Sequence, residues 1–308
     1  MIYKIYKTYI LNKSKIGYLK SKCRIVLNIV VGFLYYPLRF FNKLKSIFTS
    51  NSNFRLRVLS FHDISSQDEK KFERQIKWLM KKWDFIHPTN FEKIIEGEIK
   101  LDRDYLMLTF DDGTISNYHI AKKVLKRLDI HALFFVVTKY ALFDNTNAAR
   151  IFAAENIMLT SNLSEVPANF ENMTIDNLKD LVKDGHCIGS HTFSHARLSN
   201  LSKSQINKEI NKGAKILEGL MGMPIKHFAY PFGDIESINA EASIVASQRF
   251  KYVYTGIRGD NGKTINSTNL MRDSNHPHDS LWYTGACLEG AVDMLYSKKI
   301  NSINNLQT

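Results

Sequence analysis

Apolar positions along this chain switch repeatedly between a period of two and a period near 3.6, in strand-then-helix order. Arg57–Phe61 reads as a strand ending at His62 and Asp63. Phe72, Ile76, Leu79, Met80 and Trp83 then recur at helical spacing over residues 68–83. Tyr105–Phe110 is a second strand, followed by a helix marked by Tyr118, Ala121, Val124, Leu125 and Leu128, and Ala132–Val137 is a buried strand. Thr174 caps a helix running to about Asp184, Gly185 stops it, and Cys187–Ser190 is a short strand delivering His191. Ile206, Ile210, Leu217 and Leu220 define another helix, and His227–Tyr230 and Lys251–Thr255 are two further strands. From Lys139 to Asn172 the periodicity is lost, which predicts an insertion serving as a lid. Six or seven alternating units predict an α/β fold with parallel strands.

Length and composition narrow the class. A chain of 308 residues suits one large domain with an appendage, and 44% apolar with 12% aromatic residues supplies a sizeable core. Those values exclude a disordered, collagenous or disulfide-scaffold chain. Cys23, Cys187 and Cys287 form neither an even set nor a Cys-x-x-Cys pair, so any metal must be held by His and carboxylate.

The net charge of +12 is not spread evenly. Residues 1–50 hold ten of the 42 basic residues and none of the 30 acidic ones, so the remainder is near neutral at +2. Within that segment Ile25–Tyr36 is apolar apart from Asn28 and Gly32, is flanked by Arg24 and Arg39, and is followed by Pro37. The run is shorter than the roughly 20 residues that cross a bilayer. A long basic lead without a small-residue cleavage site also disfavours a removable secretory signal. The expectation is a basic, membrane-associating segment over 1–50, resting on an anionic membrane surface beside a catalytic or binding body over 55–300. Nucleic acid is not an expected partner, because the body carries no basic stripe.

Three short segments stand at strand ends, where parallel sheets and barrels place reactive groups. Thr109-Phe110-Asp111-Asp112-Gly113 puts two carboxylates side by side. His191-Thr192-Phe193-Ser194-His195 puts two imidazoles four residues apart, a spacing that on a turned backbone aims both rings at one point. Tyr230-Pro231-Phe232-Gly233 closes a strand with a rigid turn. Singly, these are commonplace: adjacent aspartates often cap a helix, His-x-x-x-His is often structural, and the last is simply a turn. Their joint occurrence at successive strand ends is the informative feature.

In that order the three motifs resemble the NodB-homology domain of carbohydrate esterase family 4, the polysaccharide deacetylases, over about residues 55–275. The resemblance implies a distorted (β/α)7 barrel, here with an N-terminal basic, partly apolar extension. It also implies metal-dependent removal of N-acetyl or O-acetyl groups from sugars, with an N-acetylated glycan the expected substrate. Asp112, His191 and His195 would then bind a divalent metal, zinc by default, with Asp111 as general base and the backbone N–H of Tyr230 stabilising the oxyanion. A two-His, one-carboxylate site leaves positions open for water and a carbonyl, which agrees with that chemistry.

The chain departs from the family pattern twice. Ala229 stands where an arginine is usual in the third motif, and the usual C-terminal Leu-x-His is missing. Ser60-Phe61-His62-Asp63-Ile64 resembles the first-strand motif of the poly-N-acetylglucosamine deacetylase branch, which makes His62 the candidate general acid; His276 is a reserve. Arg272 falls where members of that branch carry an arginine and would orient Asp111. Two rival readings are an iron(II) oxygenase, whose His-x-Asp order and all-β scaffold this chain lacks, and a catalytically inactive barrel that binds carbohydrate or acts as a scaffold.

Overall fold

The computed structural model describes residues 29–48, 54–167, 170–262 and 266–306. The basic lead before residue 29 lies outside the described residues. The chain forms two compact units. One contains the N-terminal segment together with Asp279–Val292; the other contains Ser52–His278 and Asp293–Thr308. The expected 55–300 domain is amended accordingly, because Asp279–Val292 packs with the N-terminal segment.

In the larger unit eight strands are present among the described residues: β1 (Leu56–Phe61), β2 (Asp84–Phe85), β3 (Tyr105–Phe110), β4 (Ala132–Val136), β5 (Cys187–Ser190), β6 (His227–Ala229), β7 (Tyr252–Tyr254) and β8 (Asp273–Ser274). They run parallel in the order β7-β6-β5-β4-β3-β1-β8, with β2 pairing the start of β3. A single stretch of chain joins the two ends of this curled sheet. Leu270 exchanges backbone hydrogen bonds with Val253 and Thr255 at the β7 edge. Three residues later β8 begins and pairs Leu59 and Ser60 of β1. The result is the distorted α/β barrel that the family resemblance implies.

Alternation along the strands sorts side chains into two cores. Leu56, Val58, Met107, Leu133, Phe135 and Tyr254 share one buried cluster inside the barrel. Phe91, Ile94 and Ile95, from a helix over Pro88–Ile95, belong to the same cluster. That helix was not legible as a period. Its start is local chemistry: Pro88 occupies the first turn, and the His87 side chain accepts from the Thr89 N–H. The opposite strand faces pack against outer helices, as in the ring contacts of Phe72 with Phe61 and Phe110. Both faces being covered, β1 is buried along its whole length, which is why parallel strands read as near-continuous apolar runs.

The inward parity continues past the strand ends. Val58 is followed on the same face by Ser60 and His62, Met107 by Thr109 and Asp111, and Leu270 by Arg272. Chemistry is thereby delivered to the C-terminal mouth by the register that fills the core below it.

The expected lid is a folded layer with a helix, Thr146–Asn156, capped by the Asn145 side chain on the Ala148 N–H. Its buried face is Ala149, Phe152 and Ala153, packed on Val137 and Tyr140. Alanines carry much of that face, so the hydrophobic period is faint in the sequence.

Candidate active site

Asp111 and Asp112 follow β3 directly, and the backbone there turns sharply. Asp112 and Gly113 both adopt positive φ, 74° and 88°. The strain at a non-glycine residue swings the second carboxylate away from the first. The stretch from His191 to His195 follows β5 and is a turn and not a helix, with Thr192 and His195 at φ 65° and 64°. That turn is held from below by Glu209. Its carboxylate accepts from the Ser194 N–H at 2.8 Å and the Ser194 hydroxyl at 2.7 Å, and its backbone carbonyl accepts from the Phe193 N–H.

These turns bring three donors together. The His191 and His195 Nε2 atoms lie 3.7 and 3.4 Å from Asp112 Oδ1. One ligand atom from each residue falls within 4.8 Å of the others, and all three residues are buried. The opposite ring nitrogens are spoken for: His191 Nδ1 donates to the Ala229 carbonyl and His195 Nδ1 to the Asn156 carbonyl, each at 2.8 Å. With the proton on Nδ1, each Nε2 presents a lone pair to the common point. Burial also depresses the His191 pKa to about 4, keeping that ring in the neutral, ligating form. Asp112 Oδ1 is buried with no hydrogen-bond partner. A buried carboxylate oxygen left bare beside two imidazole lone pairs fits a divalent cation and little else.

Asp111 has a different environment. Arg272 Nη1 lies 2.6 Å from its Oδ1, and His62 Nε2 lies 3.9 Å from its Oδ2. Burial by itself would raise this carboxyl, but the Arg272 guanidinium, with His191 and His62, outweighs it and brings the pKa down to about 2. Arg272 is itself fixed, donating from Nε to the Thr255 carbonyl at 2.8 Å and lying over the Phe135 ring at 5.1 Å. The two neighbouring aspartates are thus differentiated, one clamped as a carboxylate by arginine and one aimed at the histidines. His62 keeps about half of its side chain open to solvent.

A match to the polysaccharide deacetylase family model spans residues 98–252, half of the chain. The chain belongs to the polysaccharide deacetylase family. Its acidic and imidazole cluster is a possible divalent metal site. The peptidoglycan-N-acetylglucosamine deacetylase of Bacillus cereus is 26% identical over 196 residues, covering 61% of this chain and 59% of the relative. YxkH of Bacillus subtilis is 24% identical over 185 residues, 58% of this chain and 57% of the relative. The chain thus matches less than two thirds of the length of these relatives. Among solved structures, IcaB from Ammonifex degensii superimposes with a TM-score of 0.60 at 21% identity, over 77% of this chain and 98% of that one. The Streptococcus pyogenes deacetylase PplD in complex with acetate gives 0.58 at 19% identity, over 75% and 96%. These superpositions establish the shared barrel.

Within this family member, the expected role of Tyr230 needs correcting. Its backbone N–H is already donated to the Tyr254 carbonyl, at 3.1 Å, in the β6–β7 ladder. It has no capacity left for an oxyanion. Phe232, two residues on, sits in the turn at φ 64° with its ring 4.9 Å from that of His195. A side chain on Gly233 would run into the backbone of Gly256, so the turn is held tight against its neighbour. His276 stacks on His278, which pairs with Asp68 at 2.8 Å. Two supporting residues escaped the sequence reading. Asn156 acts through its carbonyl, which no side-chain motif reports. Glu209 left a trace: an acid beside Ile210 on the buried face of a helix.

Proposed function

We propose that this chain hydrolyses acetyl groups, most simply the N-acetyl of a hexosamine, from a bacterial-type cell-surface polysaccharide or its saccharide precursor. The observation that carries the reading is the convergence of Asp112, His191 and His195 on one point, beside a separately clamped Asp111. Asp112, His191 and His195 are the residues that would hold the ion, and zinc is the ion we assign to two imidazoles and a carboxylate. When bound, it supplies Lewis acidity, polarising an acetamide carbonyl and acidifying water.

The remaining steps belong to the chain. Asp111, ionised at neutral pH under the Arg272 charge, accepts the proton of the attacking water. His62, within reach of Asp111 and open to solvent, gives a proton to the departing amine, so the products are acetate and a free amino sugar. The Phe232 N–H, for which no partner stands among the described hydrogen bonds, replaces Tyr230 as donor to the developing oxyanion.

The test is acetate release, read by mass spectrometry, from a panel of N-acetylated glycans with and without chelator, alongside elemental analysis. Asp111→Asn should retain metal and lose turnover, whereas His191→Ala should lose both. Equal turnover of Asp111→Asn and wild type removes the base assignment. Absence of acetate release from every glycan by metal-loaded protein removes the activity.

A further inference from the structure

We propose that the N-terminal unit docks on an anionic lipid surface through the outward face of its helix, holding the enzyme peripherally at a membrane. Residues 29–33 are helical, Leu34 is a turn, and a second helix runs over Tyr35–Phe48. Sequence periodicity alone would turn the aromatic stripe of such a helix inward. In the structure only part of that stripe turns inward, with Val31 and Tyr35 buried. Arg39 and Asn42 share the inward side: Arg39 donates to the Glu289 carboxylate at 2.6 Å, and Asn42 Nδ2 donates to the same carboxylate at 2.9 Å. The other large apolar side chains described there, the half-buried Leu38 apart, point out. Tyr36, Phe40 and Leu44 follow one another at i, i+4 and i+8, flanked by Phe33 and Phe41, and these five are 39–69% exposed. Trp282 extends the patch, its ring 5.7 Å from that of Tyr36 and nearly half exposed.

A contiguous aromatic patch of this kind marks an interaction surface. Three observations select its occupant. The segment 1–50 carries ten basic and no acidic residues, and apart from Arg39, which Glu289 neutralises, that charge complements anionic headgroups. A second copy seated face to face would bring two such strongly basic segments together, which electrostatics opposes. Among the described residues no helix is long and apolar enough to cross a membrane, and the break at Leu34 with the inward Arg39 and Asn42 suits a helix lying in the boundary rather than one passing through it. Phe, Tyr and Trp are the side chains that settle at that boundary.

The experiment is flotation of the full-length protein with phosphatidylcholine vesicles, with and without phosphatidylglycerol, at physiological salt. Wild type should float with the anionic vesicles and much less with neutral ones, and alkaline carbonate should release it. Phe40→Ser with Phe41→Ser should weaken vesicle retention by at least about tenfold, from the apolar area lost. Phe33→Ser with Leu44→Ser is the second variant, should the first fail to fold. Acetate release from a soluble chitooligosaccharide is expected to be unchanged in both, which separates this proposal from the catalytic one. The proposal is overturned by no flotation of wild type, by equal retention of the folded variants, by resistance to carbonate extraction, or by a concentration-dependent dimer in solution that the same substitutions dissolve.

Discussion

Replacing Arg272 by methionine isolates the electrostatic device at the centre of the site. The substitution keeps volume and removes the charge 2.6 Å from Asp111 Oδ1. With arginine present, Asp111 titrates at about 2 against an ordinary 3.8, a gap of roughly two units, or about 2–3 kcal/mol. Because the folded value lies below the unfolded one, that contribution is complete above about pH 4 and disappears as the pH falls toward 2. Without the guanidinium, burial acts with less opposition and the carboxyl pKa rises. The acid limb of kcat/KM should therefore move up by at least about one unit, with kcat down about tenfold or more at neutral pH. An unpaired buried carboxylate costs about 3–5 kcal/mol. For a domain of this size that lowers the Tm by about 6–20 °C. Arg272→Lys should restore part of the rate, since a point charge replaces the charge and not the fork. The assays are a pH–rate profile on an N-acetylated oligosaccharide and calorimetry of metal-loaded protein. An unshifted acid limb and an unchanged kcat in folded Arg272→Met would refute the reasoning.

Two further predictions address neighbouring residues. His62→Ala should lower the rate about 10²- to 10⁴-fold while leaving metal content unchanged; a loss below about threefold, combined with a large loss in His276→Ala, transfers the acid role. Asp273→Ala removes one of the two carboxylates that hold the fully buried Arg57, whose Nε and Nη2 each lie 2.9 Å from Asp273 while Nη1 lies 2.8 Å from Asp293. It should cost about 3–5 kcal/mol in denaturant unfolding and loosen the join of β8 to β1 on which Arg272 depends, whereas a loss below about 1 kcal/mol would show the pair to be dispensable.

Much of this protein was determined locally and so could be read along the chain. The alternation of strand and helix, and the Thr174 cap with its Gly185 stop, depend on neighbours a few residues away. So does the placing of Asp111, Asp112, His191 and His195 just beyond strand ends, because a side chain's chemistry and its position in a turn are short-range properties. Helices lacking a clean apolar stripe stayed hidden: Thr146–Asn156 buries alanines, and Leu281–Leu288 is buried over most of its length, which erases the period. Tertiary structure alone decided contacts set by sheet order and register. It brought Arg272 onto Asp111 across 161 residues, set Glu209 beneath the His191–His195 turn, and committed the Tyr230 N–H to Tyr254. It also turned Tyr36, Phe40, Phe41 and Leu44 of the helix Tyr35–Phe48 outward while burying Tyr35, because Glu289 meets Arg39 and Asn42 on the inward side. Periodicity shows that a helix has two faces; which one points inward depends on the partner that meets it.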